Sequence, residues 1–269
     1  MFPRKPRLDR LPGLERLQHD RAMVGGELMF SVSLGERVLG VPEAVCVHGL
    51  GVSSRYFVPL MRAVAPHTRV LAPDLPGFGR SSNPRRVYDV PQLAAALDEW
   101  LDLQHFERPP VLIANSMGCQ IAAALIDSRP DRASALLMIG PTMDANNRSS
   151  WSQILRLVEA MPFERLSLIP VVAYEYLLCG PRRLFGSLGH ALNDPIEAHL
   201  PQILVPAVVL RGARDPIAPA DWVRQLARLL GASSPAVTIA ETGHAVNFSA
   251  PDKLLPLVID LLARAQQGA

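Results

Sequence analysis

The chain has 269 residues, 49% of them hydrophobic, enough to bury one large core near the upper size of a single domain. Its 27 basic and 25 acidic residues leave a formal net charge of +2, which gives no reason to expect a nucleic-acid partner or a strongly charged substrate. Three cysteines, Cys46, Cys119 and Cys179, are odd in number and widely spaced, fitting neither a disulfide framework nor a CxxC metal site, so a reducing cytoplasm is the expected compartment.

The basic opening "FPRKPRLDR" reads as a solvated tail. It lacks the apolar centre of a signal peptide, and no run reaches the roughly 18 apolar residues needed to span a bilayer, so a soluble protein with no membrane partner is expected. "ELMFSVSLG" (27 to 35) alternates like a strand, whereas "AVCVHG" (44 to 49) and "TRVLAPD" (68 to 74) are short apolar runs that stop at turn residues, as buried strands do. A helical stretch is expected after each. "VPQLAAALDEWLDLQHF" (90 to 106) places Leu93, Leu97, Trp100, Leu101 and Gln104 on a helical period, with Asp89 and Pro91 suited to its start. "VLIA" (111 to 114), "SMGCQIAAALIDS" (116 to 128) and "SALLMIG" (134 to 140) continue as strand, helix and strand. This β-α-β order implies right-handed crossovers and a mainly parallel sheet covered on both faces.

The alternation lapses between about Pro141 and Pro201, where "SSWSQILRLVEAM", "PVVAYEYLLCG" and "PRRLFGSLGHAL" all read as helices. "DPIEAHLP" offers Asp194 as an N-cap, Pro195 in the first turn and Glu197 in the capping-box position. Beyond it, "AVVLRG" (207 to 212), "ADWVRQLARLLG" (220 to 231), "AVTIAE" (236 to 241) and "DKLLPLVIDLLARA" (252 to 265) resume as strand, helix, strand and helix. The expected organisation is an α/β core in two parts, 1–141 and 202–269, interrupted by a helical cap, 142–201, over the carboxyl edge of the sheet, where open α/β sheets bind ligands.

Ser116 stands in "IANSMGCQIA", between an apolar strand and a helix. A serine there can simply cap the helix. Its flanks point further, because a sharp strand-to-helix elbow brings neighbouring backbone close and needs small residues two before and two after the serine; these are Ala114 and Gly118. A serine hydroxyl is a poor nucleophile at neutral pH and needs a base, which needs an orienting acceptor. His244 in "TIAETGHAVNF" follows a strand and a Gly-containing turn at the same sheet edge, and Asp215 in "VVLRGARDPIAP" follows another. Asp144, after the strand ending at Gly140, is the reserve acid. The order Ser116, Asp215, His244 suits one family of hydrolases and neither of two protease orders. "VCVHGLGVSS" supplies a Gly-rich turn whose backbone N–H groups can face developing negative charge; Leu50 and Met117 are the candidate donors. Asp74, in "DLPGFGRSS", reads as a turn-stabilising carboxylate. Trp151, Leu155, Tyr174 and Phe185 are candidates for an acyl pocket in the cap, or for residues that bury the cap on the core.

Together "VHGLGVSSRYFVPL", "RVLAPDLPGFGRSS", "IANSMGCQIA", "LRGARDPIAP" and "ETGHAVNFSAPDKL" resemble the α/β-hydrolase fold family, from about residue 28 to the end. The resemblance implies an eight-stranded, mostly parallel sheet, a helical cap inserted after the sixth strand, a Ser116-His244-Asp215 triad, a small-molecule substrate and no metal or organic cofactor. Serine at the elbow disfavours the aspartate-nucleophile branches of the family. "NSMG" is similar to the elbow of carbon-carbon bond hydrolases acting on ring-cleavage products, which commonly place Trp after the catalytic His; here Ala245 stands there, so an ester or lactone leads. Carbon-carbon cleavage, acyl transfer to another acceptor and a slow-turnover ligand receptor remain alternatives.

Overall fold

The computed structural model describes residues 17–231 and 234–267; the basic opening segment lies outside them. The first elements are a hairpin, β1 (Gln18–Val24) and β2 (Glu27–Leu34), paired antiparallel from Gln18↔Ser33 to Val24↔Glu27. There follow β3 (Ala44–Val47), α1 (Val58–Val64), β4 (Val70–Asp74), α2 (Val90–Asp102), β5 (Val111–Asn115), α3 (Met117–Ser128) and β6 (Ala135–Ile139). A helical stretch then carries α4 (Ser150–Ala160), α5 (Ile169–Cys179), α6 (Pro181–Asn193) and α7 (Ile196–His199). The chain ends through β7 (Ala207–Gly212), α8 (Ala220–Leu229), β8 (Ala236–Ile239), α9 (Val246–Ser249) and α10 (Pro251–Gln267). Among the described residues no helix is long and apolar enough to cross a membrane.

One eight-stranded sheet runs in the order β1-β2-β4-β3-β5-β6-β7-β8. Pairing is antiparallel for β1 with β2 and β2 with β4, and parallel across the rest. Apart from Asp74 and Asn115 at their carboxyl ends, the central strands are apolar without alternation because both their faces are covered: every residue of β3, β4, β5 and β6 is buried. Successive side chains go to opposite faces. Val45, Leu112, Ala114 and Leu136 join Leu97, Trp100, Ile121 and Trp222 from α2, α3 and α8, whereas Cys46, Ile113, Leu137 and Val208 join Leu60, Leu254 and Val258 from α1 and α10.

Asp89 starts α2 with a full capping box, its carboxylate accepting the Gln92 N–H while the Gln92 side chain accepts the Asp89 N–H. Several expectations need correction. No helix connects β2 to β3, and β1, mostly polar and exposed, has no clear strand signature in its sequence. Helix α2 stops at Asp102, and Gln104 instead folds its amide back onto the Trp100 carbonyl. Asp194 does not cap α7: its carboxylate is drawn away to Gln120 of α3 and to His199, while Glu197 pairs with Arg148. Strand β8 stops at Ile239, before a turn in which Glu241 takes a left-handed φ of 63°.

Candidate active site

Ser116 sits between β5 and α3 at φ 58°, ψ −126°, a backbone conformation that L-residues rarely adopt and that is held here by the packing around it. Its N–H donates to the Ile139 carbonyl of β6 at 2.9 Å. The hydroxyl does not cap α3, so the ordinary reason for a serine at a helix start is absent. Gly118, two residues on, crosses β3 so tightly that a Cβ there would lie 2.3 Å from the Val47 carbonyl oxygen. At the matching position before the serine, Ala114 is accommodated with its side chain fully buried.

His244 follows β8, and Asp215 follows β7. Their side chains meet, with His244 Nδ1 2.9 Å from Asp215 Oδ2. The other carboxylate oxygen accepts the N–H groups of Ile217 at 2.8 Å and Ala218 at 3.2 Å, so the acid is fixed by its own turn, and Arg211 braces the Asp215 carbonyl. In the neutral ring a carboxylate partner at Nδ1 selects the tautomer protonated there, with Nε2 as the acceptor nitrogen. Burial lowers the His244 pKa, but the Asp215 charge and hydrogen bond, with Glu164 adding to them, outweigh it and carry the pKa above its ordinary value. The pair rests on Gly140 at the end of β6, whose φ is +55°; a Cβ there would fall 2.8 Å from His244 Nδ1. Asp144, the reserve acid, pairs instead with Arg156 at 3.1 Å.

The turn after β3 faces the serine, and Gly49 is close enough that a Cβ would lie 2.9 Å from Ser116 Cβ. His48 sets this turn. Its fully buried ring bonds through Nδ1 to the Gly49 carbonyl at 2.9 Å and accepts the Leu75 N–H at Nε2, while burial keeps its pKa down. Asp74 accepts the N–H groups of Ser54 and Arg80, as a turn-stabilising carboxylate does. Among the described residues no cluster of three or more His, Cys, Asp or Glu is arranged to hold a metal, and the three cysteines are buried and unbridged.

Ser116, His244, Leu50 and Met117 all line one cavity of about 390 Å³. The helical stretch supplies much of its wall, through Leu157 of α4 and Met161 just after it, Val172 and Tyr176 of α5, and Leu184 and Phe185 of α6. Of the four proposed pocket residues only Phe185 lines it. Trp151 and Leu155 are 69% and 44% exposed, because α4 carries a second apolar stripe beside the inward one formed by Ile154, Leu157 and Met161. Tyr174 is turned to lie under the Arg55 guanidinium, and Tyr176, two residues on, takes the inward position. Glu164, also on the wall, was without a signal in the sequence, since a carboxylate in a short connection reads as a surface charge.

Residues 44–257 match the family model described as "Alpha/beta hydrolase family". The chain belongs to this family. An uncharacterised protein of Mycobacterium tuberculosis is 28% identical over 195 residues, covering 70% of this chain, which thus spans only 56% of that relative's length. The α/β-hydrolase chain is also 25% identical to the poly(3-hydroxyalkanoate) depolymerase of Ectopseudomonas oleovorans, over 82% of itself and 84% of that protein. Among solved structures, a thermophilic esterase from Thermogutta terrifontis superposes with a TM-score of 0.77 at 19% identity, covering 93% of this chain and 99% of that one. The eight-stranded sheet and its flanking helices are those of the family.

Proposed function

We propose that this α/β-hydrolase is a serine hydrolase that cleaves a small carboxylic ester or lactone through an acyl-enzyme. The observation that carries the reading is the His244–Asp215 pair opening onto the same cavity as a strained serine whose hydroxyl has no capping duty. Ser116 Oγ would bond to the acyl carbon as His244 Nε2 takes its proton. The same proton then goes to the leaving alkoxide as the carbon–oxygen bond breaks. Water, deprotonated by His244, would next attack the acyl carbon, and the proton would pass from His244 to Ser116 Oγ as the acyl carbon–Oγ bond breaks. Asp215 keeps the imidazole in the tautomer that the cycle needs.

The N–H groups of Leu50 and Met117 would hold the oxyanion; the second is in the first turn of α3, where N–H groups have no partner within the helix. The cavity wall is almost entirely hydrocarbon, which favours an uncharged, apolar acyl group. Residues 142–201 would act as a cap that closes this cavity. The names of a relative, a poly(3-hydroxyalkanoate) depolymerase, and of a structural neighbour, an esterase, agree with ester cleavage.

A panel of aryl esters, lactones and ring-cleavage diketones assayed with the wild type and Ser116→Ala tests the reading. Esters or lactones are expected to turn over, and the variant to lose on the order of 10⁵- to 10⁶-fold in kcat. Undiminished ester turnover in Ser116→Ala would refute it, and turnover of the diketones alone would move the reaction to carbon-carbon cleavage.

A further inference from the structure

Glu164 lies between α4 and α5, yet its carboxylate reaches the turn that carries His244. Its Oε1 accepts the His244 N–H at 2.5 Å and the Ala245 N–H at 3.0 Å. Packing against the neighbouring residue is equally close, since a Cβ on Gly243 would lie 2.5 Å from the same oxygen. Oε2 is buried and has no hydrogen-bond partner in the structure. A glutamate in a connection would ordinarily keep its charge in water. Here the carboxylate is withdrawn from solvent and committed to two main-chain donors of another part of the fold, an arrangement that holds only while the helical stretch sits on the sheet edge.

We propose that Glu164 is a positioning residue for His244, fixing its main chain from the helical insertion so that placement of the imidazole and seating of the insertion are one event. The inference rests on the serine-hydrolase reading above. Two restraints then converge on one residue: Asp215 holds the ring through Nδ1, and Glu164 holds the backbone at its N–H. An acyl group that fills the cavity touches Leu157, Met161 and Val172 of the same stretch, so substrate binding favours the seated state in which the base is in place.

The charged and titratable groups facing Glu164 are His244, Asp215 and Tyr56. Burial raises the Glu164 pKa, while the two main-chain donors and the His244 charge pull the other way. Its negative charge in turn helps to hold the His244 pKa up. Removing that charge should therefore lower the His244 pKa, and the acid limb of the rate profile should move to lower pH.

The test compares wild type, Glu164→Gln, Glu164→Leu and Ser116→Ala on an aryl ester, with kcat referred to active sites titrated by a phosphonate in the three that keep Ser116 and to folded protein in Ser116→Ala. Glu164→Gln keeps an acceptor oxygen; it is expected to hold kcat within about threefold at alkaline pH while its acid limb shifts down. Glu164→Leu removes the acceptor and is expected to lose roughly tenfold or more in kcat with little change in KM, as a misplaced catalytic group does. A purely structural contact would lower the amount of active enzyme and leave kcat per active site in place in Glu164→Leu. Wild-type kcat per active site in Glu164→Leu, or the full Leu-like loss in Glu164→Gln despite its acceptor oxygen, overturns the proposal; if the Leu variant does not fold, Glu164→Ala takes its place in the same comparison. Those results beside an inactive Ser116→Ala refute only the positioning role, whereas an active Ser116→Ala refutes the serine-hydrolase reading itself.

Discussion

His244 carries opposing influences, and their balance sets the pH at which it can act. Burial favours the neutral ring, while the Asp215 and Glu164 charges favour the imidazolium and prevail. In the proposed mechanism the base must be neutral, so activity should fall as pH drops through a value above the ordinary histidine pKa of about 6.5. Asp215→Asn removes the largest of the raising influences and the acceptor that selects the tautomer. We expect kcat to drop by roughly 10³- to 10⁴-fold, with the residual acid limb moved to lower pH, as measured by steady-state rates from pH 5 to 9. A change under tenfold would mean that Asp215 does not orient the ring. At this scale the pairing of His244 with Asp215, and the placing of Ser116 and His244 on one cavity, follow where the sequence pointed. Ser116 was marked by its small flanking residues, His244 and Asp215 by their turns after strands. Glu164 was not, because its role comes from a partner 80 residues away along the chain that no local pattern reveals.

The central strands were readable for a physical reason: a strand buried on both faces must be a continuous apolar run, and β3, β6 and β5 as far as its closing Asn115 are. The edge hairpin was half-readable, since β2 alternates but β1 is mostly polar and exposed and pairs only with β2. The helices between β6 and β7 were legible as helices and illegible in orientation. Helix α4 is apolar on two adjacent stripes, and only contact with the core tells which one faces inward. Contacts between elements also overrode the capping expected at Asp194. There, His199 of α7 lies between Asp194 and Asp127 of α3, and its pKa is pushed up to about 9 by the Asp194 and Asp127 hydrogen bonds against the effect of burial. A histidine raised on folding stabilises fully below its unfolded value of about 6.5 and loses that contribution as pH rises through the folded one. His199→Leu should therefore lower Tm most near pH 6, and the gap to the wild type should shrink steadily towards pH 10. A gap independent of pH would mean that the ring contributes only packing.

At the scale of the whole molecule, the helical stretch between β6 and β7 is tied to the rest of the fold by polar and charged contacts. Arg55, beside α1, pairs with Glu175 of α5 at 2.5 Å, and the glutamate is only 1% exposed. Arg183 of α6 reaches the Asn83 side chain and the Pro84 carbonyl, and Glu164 reaches the His244 turn. Breaking one partner of a buried pair strands the other. Arg55→Met is expected to cost about 3–5 kcal/mol in urea unfolding, and Arg55→Met with Glu175→Leu to recover much of it. Equal losses in the single and double variants would show that the pair is not what couples the two parts.

All of this converges on a single bond. An aryl phosphonate ester, incubated with the wild type and with His244→Ala, should add one equivalent of mass, which peptide mapping should place on Ser116 in the wild type, with the rate falling by several orders of magnitude in the variant. Modification at another residue, or at the same rate without the imidazole, would contradict the serine mechanism.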